Sequence, residues 1–467
     1  MALARYWAGL ALDARWLWLL APCALASFRR QTIATLLLVG WLCFGIGAVR
    51  GTSYFHQMSG YTALSKQKVT VVGRATDDGV YGQRYQLTFG LDHVEVAAPY
   101  RVSLPGSITV AGFGASSVNR DDIVQVSGQL YPTRGNAQAS ISFGDLTVLA
   151  SNPSLIDNLR RRFNAGVESA LPEPEASFGL GLLIGQRNTL PQAVAQQLLM
   201  VGLTHIIAVS GYNLTIIVMA TRRIFGKLSK FQYTAVAIGL IGLFLLITGS
   251  SPSIVRASVI SVLGIAAWYY GRTIKPLVLL LVSAAITVLG RPLYLWGNVS
   301  WYLSFLAFFG VLVLSPLVRR RLFGPKRELG LVGSVLLESL CAEAMTLPYV
   351  LYIFGQMSTV SLLANLLVAA FIPLAMLLTL IAGLAGMLAP AVAGWLAWPA
   401  KLLLTYMLDI ANLLSRVPHA FIENLTFSLP AMLVCYGIVG FLCLMLWGKR
   451  KEHGIITEKK RLQTEGA

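Results

Sequence analysis

Charge is scarce in this sequence. Asp, Glu, Lys and Arg together make up 12% of its 467 residues, whereas a soluble globular domain carries about 25%. Hydrophobic residues make up 56% of the chain. This composition excludes an ordinary soluble protein and predicts an α-helical polytopic membrane protein.

Acidic residues are scarcer than basic ones, at 20 against 37, so the formal net charge is +17. A basic balance of this size suits a nucleic-acid partner. It also arises in ordinary membrane proteins, because Lys and Arg collect in cytoplasmic loops and orient the spans. The net charge alone therefore does not identify a partner.

Cysteine and histidine are also few, with five residues of each. The cysteines lie in apolar runs without the spacing of metal ligands, so the sequence predicts neither a disulfide framework nor a zinc site. The histidines do not form the His-x-His-x-Asp-His cluster of a metal-dependent hydrolase. A Gly-rich phosphate loop ending in Lys-Ser or Lys-Thr is absent too. We therefore expect no cofactor, no nuclease and no nucleotide hydrolase in this chain.

Residues 51–150 differ in composition from the rest of the chain. Short stretches of alternating polar and apolar residues recur there, separated by turn residues. The six stretches are 68–74, 85–89, 93–96, 106–111, 123–131 and 141–149. Several short strands without helices between them predict a small all-β barrel or sandwich domain.

Basic and aromatic side chains of this β domain form a candidate nucleic-acid surface. We assign it to Arg74, Arg84, Tyr85 and Arg101. Single strands bind such surfaces through phosphate contacts and base stacking. The alternative is that the arginines are merely solvated and the tyrosine half-buried in the sheet, because acidic residues of the same segment dilute the positive charge.

The rest of the chain divides into membrane segments of different kinds. Residues 1–50 hold one or two N-terminal membrane segments, residues 151–202 amphipathic or interfacial helices, and residues 449–467 a basic tail. Between them, residues 203–448 form a transmembrane domain of about nine predicted spans. The predicted spans are 203–220, 231–248, 254–270, 276–290, 298–318, 329–354, 362–388, 397–415 and 429–447.

Basic residues mark one side of this predicted bundle. They fill alternate connections, near 222–230, 272–275 and 319–327, and they fill the tail. Because positively charged loops stay in the cytoplasm, the sequence predicts a multi-pass protein of the plasma membrane. In this orientation residues 51–150 lie outside and the C-terminus lies in the cytoplasm.

Polar groups interrupt the first of the nine spans. A turn with Gln186 and Arg187 precedes it, and the span itself holds three polar side chains and a glycine. These four residues are His205, Ser210, Gly211 and Asn213. Polar groups are costly in hydrocarbon and persist where they face protein or water, so this run is a candidate wall of a hydrated pathway.

Three further polar residues lie in later spans. Arg256 follows a polar break at 248–253, where its guanidinium has to snorkel outward, pair with a carboxylate or face water. Glu343 is a candidate partner for Arg256 or Arg187. Asn365 either lines the pathway or hydrogen-bonds to a neighbouring helix.

At several ordered motifs the sequence resembles the ComEC family of competence DNA channels. The matching segments are 204–213 (THIIAVSGYN), 248–257 (TGSSPSIVRA) and, later, 354–356 (FGQ) with 361–367 (SLLANLL). Two positions depart from the family pattern. Gln186 stands where the family has an acidic residue, and Asn213 stands where it has a histidine.

The resemblance implies a function and partners. It implies import of single-stranded DNA across a bacterial plasma membrane during natural transformation, with an oligonucleotide-binding (OB-like) barrel outside. A separate DNA receptor, nuclease and cytoplasmic motor are implied, because we expect this chain to lack the hydrolase-like domain of some members. The oligomeric state stays open. The motifs and the polar residues together assign the DNA path to Gln186, Arg187, His205, Ser210, Gly211, Asn213, Arg256, Glu343 and Asn365.

Two other functions fit parts of the sequence. His205 and Ser210 suggest a membrane serine hydrolase, but a spacing of five separates their side chains by about 140° around one helix, too far for a direct hydrogen bond. A transporter of another polymer or solute with the same helical core is the second alternative. The departures at Gln186 and Asn213 favour that alternative.

Overall fold

The computed structural model describes most of the chain. The described residues are 41, 44–53, 60–82, 86–132, 137–151, 154–186, 189–207, 214, 229–249, 252–272, 276–291, 294, 298–324, 330–443 and 445. The chain forms two compact units. The first comprises 1–154 with 285–298, and the second comprises 155–284 with 299–467.

The first unit contains a seven-stranded sheet. Its strands are β1 (Lys68–Ala75), β2 (Val80–Tyr81), β3 (Leu87–Ala98), β4 (Val102–Leu104), β5 (Ile108–Phe113), β6 (Asp122–Pro132) and β7 (Ala139–Ser151). Every second residue along much of β1, β3 and β5 is buried, so the period of two in the sequence becomes the inner face of the sheet. The predicted β domain is confirmed. The stretches predicted at 85–89 and 93–96 are one continuous strand, β3.

Five of these strands close into a barrel. β1 pairs with both β3 and β6, β6 pairs with β7, and β3 pairs with β5, all antiparallel. The remaining pair, β5 and β7, is parallel and completes the ring. A closed ring of five strands is a small β-barrel, and its assignment to the OB type stays a prediction.

A helical turn before β1 supplies part of the barrel core. Tyr61 and Leu64 are buried among the strand residues. The Tyr61 hydroxyl donates a hydrogen bond to the carbonyl oxygen of Leu104, at 3.4 Å. The barrel therefore has a hydrophobic core of its own.

Arg50 joins the segment before the barrel to the end of a helix at Gly290. Its Nε donates to the carbonyl oxygen of Leu289 at 3.0 Å, and its Nη2 donates to that of Gly290 at 3.2 Å. The last carbonyls of a helix lack partners within the helix and carry a partial negative charge. A guanidinium satisfies both requirements, so this contact fixes the segment around Arg50 against the helix end.

Helices make up nearly all of the remaining described chain. They are α1 (Leu155–Ala170), α2 (Glu175–Ile184), α3 (Gln192–Met200), α4 (Thr204–Ile207), α5 (Lys230–Thr248), α6 (Pro252–Tyr269), α7 (Pro276–Gly290), α8 (Val299–Phe309), α9 (Ser315–Phe323), α10 (Leu331–Phe354), α11 (Ser361–Ala369), α12 (Ile372–Leu388), α13 (Pro390–Ser415) and α14 (Leu429–Cys443). A π-helical turn at Gly310–Leu314 joins α8 to α9. Two short strands, β8 (Met357–Ser358) and β9 (Phe421–Ile422), pair between helices.

Four described helical runs are long and apolar enough to cross a membrane. They are Lys230–Thr248, Val299–Phe323, Gly333–Phe354 and Pro390–Ser415. The pair α11 and α12, bent by 53°, is a fifth candidate, and α6, α7 and α14 are shorter apolar helices. The chain is therefore a multi-pass membrane protein, as predicted. Most of the predicted span 203–220 lies outside the described residues.

Glycines bring α1 and α12 into close contact. A Cβ atom at Gly386 would lie 1.9 Å from the carbonyl oxygen of Gly166, and one at Gly383 would lie 2.4 Å from the Phe163 ring. A Cβ at Gly166 would lie 2.5 Å from the carbonyl oxygen of Gly383. Small residues at such crossings let helix backbones approach each other, which is how helices associate in membranes.

Two helices, α1 and α2, occupy the first part of the segment 151–202, which was predicted to hold amphipathic or interfacial helices. α1 ends at Ala170, because Pro172 and Pro174 cannot continue it. α2 follows and is buried on nearly every side, so it is an internal helix rather than an interfacial one. Phe163 and Val167 of α1 pack on α12 at Gly383, whereas Leu155 and Leu159 are exposed. The interfacial position of α1 stays a prediction.

We predict that Gly386→Ala destabilises the protein by at least about 1 kcal/mol, since the added methyl group has to push two backbones apart. The measurement is the thermal midpoint of the detergent-purified protein. Gly394→Ala, in the helical α13 with nothing within 4 Å of the added atom, is the matched control and should be neutral or slightly stabilising. Equal midpoints for the two variants would contradict the close packing of α1 on α12.

Candidate functional site

Arg256 is buried in the helical unit. It lies in the second turn of α6, and 5% of its surface is exposed. Its Nη1 donates to the carbonyl oxygen of Ser304 on α8. The guanidinium carbon lies 5.5 Å from the centre of the Phe305 ring and 5.0 Å from that of Phe308.

The surroundings of Arg256 are a cation-binding aromatic site rather than an ion pair. Within the described part of the chain, no carboxylate forms a salt bridge with this guanidinium, and its Nε has no hydrogen-bond partner. Of the three fates expected from the sequence, outward snorkelling is ruled out by the burial. Two aromatic faces recover part of the cost of burying the cation.

Leu214 is the one described residue between 208 and 228, since Ser210, Gly211 and Asn213 lie outside the described residues. It is fully buried. It belongs to one hydrophobic cluster with Ile254 and Ala257 of α6. This residue of the predicted span therefore shares an apolar core with the helix that carries Arg256.

Glu343 and Asn365 join α10 to α11. The Ser361 hydroxyl donates to Oε1 of Glu343, and Nδ2 of Asn365 donates to the Ser339 hydroxyl at 2.8 Å. The residues are four apart on each helix, so the two bonds lie one helical turn apart along an antiparallel pair. Of the two predicted roles for Asn365, the hydrogen bond to a neighbouring helix is present.

Glu343 also lies at a helix N-terminus. Ser361 is the first residue of α11, and the residue before it, Val360, provides no side-chain cap. The first N–H groups of a helix lack partners and attract negative charge. The Glu343 carboxyl group, bound to Ser361, therefore occupies the position of an anion at this helix end instead of pairing with Arg256 in the described structure.

His205 approaches the same helix end from the other side. The turn between α3 and α4 contains Gly202 with a φ of 75°, and a Cβ there would lie 2.7 Å from the Ser361 Cβ. Nδ1 of His205 lies 3.0 Å from the Gly202 carbonyl oxygen. A carbonyl only accepts, so Nδ1 carries a proton. Three predicted path residues, His205, Glu343 and Asn365, thus gather around the start of α11.

The two sites lie at similar height in the bundle. α8 and α10 are antiparallel neighbours, with the rings of Tyr302 and Tyr349 5.4 Å apart. Further along, a Cβ at Gly310 would lie 2.5 Å from the Cys341 carbonyl oxygen. Interpolation between these contacts puts Phe308, which stacks on Arg256, level with Glu343. A buried cation and a partly buried carboxyl group therefore lie at similar height along the α8–α10 pair.

Gln186 is buried as well, and its partner was missed by sequence reasoning. Nδ2 of Asn164 on α1 donates to Oε1 of Gln186. Gly181 of α2 packs on Ile207 of α4, which keeps this turn close to the His205 helix. In the sequence, Asn164 could have been recognised only as a polar amide that follows the three arginines of α1. Arg187 lies outside the described residues.

The candidate surface of the barrel is not assembled in one place. Arg74 is opposite Asp92 near the end of β1 and forms an ion pair with Asp121, with 3.8 Å between Nη1 and Oδ1. Arg101 follows β3, beyond the paired residue Ala98. The two arginines are at opposite ends of the β1–β3 pair, at least about 13 Å apart along the strands. Arg84 and Tyr85 lie outside the described residues.

A family model for competence proteins, described as "Competence protein", matches residues 182–449. These residues are more than half of the chain and include both sites of the helical unit. The chain belongs to the Competence protein family. It is similar to ComE operon protein 3 of Bacillus subtilis (strain 168), with 25% identity over 228 residues.

The similarity to that relative is partial. The aligned residues are 48% of this chain and 28% of the relative. The chain therefore spans little more than a quarter of the curated relative that it matches. No solved structure gives a significant match.

We predict that the bond between Asn365 and Ser339 stabilises the α10–α11 pair. In a double-mutant cycle with Asn365→Ala and Ser339→Ala, the coupling energy should be about 0.6 kcal/mol, as for other hydrogen bonds between membrane helices. Unfolding of the purified protein in mixed micelles measures it. The pair Asn365→Ala and Ser428→Ala, which share no contact, should give additive effects. Zero coupling for the first pair would contradict the contact.

Proposed function

We propose that this chain forms a membrane path for single-stranded DNA that enters the cytoplasm during natural transformation. Membership of the competence family supports a role in DNA uptake. The helical unit supports a path, because it holds hydrogen-bonding side chains among apolar helices. Arg256, Glu343, His205 and Asn365 are the described members of this set.

The observation that carries the proposal is the buried guanidinium of Arg256, which forms no ion pair with any described residue. An isolated ion costs several kcal/mol to bury, so a sequence keeps one where it has a use. Its buried Nε has no hydrogen-bond partner among the described residues. A phosphodiester group is a suitable partner, because it is anionic and accepts the guanidinium hydrogen bonds in pairs.

The orientation that we propose has the barrel outside and the C-terminus in the cytoplasm. The basic connections favour this sidedness. The contact of Arg50 with Leu289 and Gly290 supports it too, since it joins the segment before the barrel to the poorly charged end of α7. A DNA receptor, a nuclease and a motor would act as separate partners, and this chain itself would carry no enzyme activity.

One observation favours the transporter of an uncharged polymer as the second candidate. Residues 51–150 hold seven basic and seven acidic residues, so the barrel offers no net charge to a polyanion. Transport of a labelled neutral polysaccharide, measured with and without an excess of unlabelled single-stranded DNA, distinguishes the two functions.

We predict that Arg256→Met lowers DNA uptake at least 100-fold without destabilising the protein. The aliphatic side chain fills the aromatic site, and replacing a buried charge by a hydrophobic residue is often neutral or stabilising. Transformation frequency and the amount of protein in the membrane are measured together. Arg272→Ala, an exposed arginine after α6, is the matched control.

Uptake at the wild-type level by a membrane-inserted Arg256→Met protein would contradict the proposed path. Arg256→Lys adds a graded outcome. A lysine keeps the charge but loses the planar fork, so we expect partial uptake.

A further inference from the structure

Phe143 occupies a strained position on the barrel surface. Its φ is 56°, in the left-handed region, where a bulky side chain is rarely found. Phe143 is in β7. The pairing of β7 with β5 goes from Ser142 directly to Gly144, and its pairing with β6 goes from Ser142 directly to Asp145. Phe143 is therefore an unpaired bulge residue against both neighbouring strands, at a type of position that glycine usually fills.

Glycines on the adjoining strands fix the bulge. A Cβ at Gly112 of β5 would lie 2.2 Å from the carbonyl oxygen of Gly144. A Cβ at Gly128 of β6 would lie 2.5 Å from Cγ2 of Ile141. The backbones approach here as at a barrel corner, and the geometry turns Phe143 outward. The barrel needs the bulge but has no structural need for an aromatic side chain on it.

A second exposed ring lies beside the first. Phe113 at the end of β5 and Phe143 are stacked with 6.4 Å between ring centres and 27° between planes. Their exposed fractions are 42% and 63%. Glycine or asparagine at 143 would avoid both the backbone strain and the exposure of apolar surface to water.

We propose that Phe113 and Phe143 form a stacking platform for the bases of single-stranded nucleic acid, an inference that rests on the proposed function. Every base has a face that stacks on an aromatic ring, whatever its sequence. The charge balance of the barrel and the neighbouring Asp145 argue against a site that works by attracting phosphates or anionic lipid. The platform therefore holds the strand by its bases.

The test uses the full chain in nanodiscs and a fluorescent oligothymidine. We expect Phe143→Asn to weaken binding about tenfold, within the roughly 5- to 150-fold range for the loss of one stacking residue. The same variant should unfold at an equal or higher temperature, because asparagine tolerates the left-handed region. Phe143→Trp should keep the affinity. Tyr100→Asn, which removes an aromatic residue of similar exposure (50%) elsewhere on the barrel, is the matched control.

The salt dependence of binding is a second measurement. The ratio of wild-type to Phe143→Asn affinity should stay constant between about 0.1 and 0.5 M salt, since stacking is not screened as phosphate contacts are. Equal affinities of the wild type and Phe143→Asn would overturn the platform. The platform would also be overturned if Phe143→Asn lost binding to a neutral oligosaccharide and kept its affinity for oligothymidine. Stronger quenching of tryptophan fluorescence by brominated lipid in the Phe143→Trp variant than in the wild type would overturn it as well, because the platform would then face lipid.

Failure of the platform and failure of the path give different results. If Phe143→Asn binds and imports DNA normally while Arg256→Met does not import it, the platform alone is wrong. If the wild-type chain binds no single-stranded DNA at all, both proposals are wrong.

Discussion

The buried guanidinium of Arg256 is the feature on which the proposed path depends. It brings α6 to α8 through the Ser304 carbonyl and two phenylalanine rings. α8 in turn lies against α10 at Gly310, and α10 meets α11 through Glu343. A cation that forms no ion pair with any described residue is therefore connected through two helix contacts to the Glu343 carboxyl group beside the start of α11. Binding of a phosphate to Arg256 would therefore change the electrostatic potential around this cation and the nearby Glu343 carboxyl group.

Close backbone contacts provide the rigid surroundings of this level. Glycine crossings join α1 to α12, and Gly202 joins the His205 turn to Ser361. In lipid, association of helices relies on such packing and on hydrogen bonds, because apolar surface alone gives no preference for protein over lipid. The polar groups of the site are thus positioned by neighbours that have little freedom to move.

Much of the fold could be predicted from local pattern, and little of the site could. Apolar runs located the helices, and alternation located the strands, since both signals are local. Arg256 was recognisable as a costly residue, but its partners Ser304 and Phe308 are about fifty residues away in sequence. Phe143 was missed because an aromatic residue at a left-handed position goes against local preference. Ser361 as the partner of Glu343 depends on a pairing of helices that no local pattern records.

The most direct test is whether a DNA strand in transit passes next to Phe308, whose ring packs against the Arg256 guanidinium. A photoreactive benzoylphenylalanine replaces Phe308, and cells take up labelled DNA before irradiation. We predict a crosslink between the protein and the single strand at position 308, and none from the same group at the exposed Leu340 of α10. Cells that import DNA normally but give no crosslink at 308 would contradict a path beside Arg256.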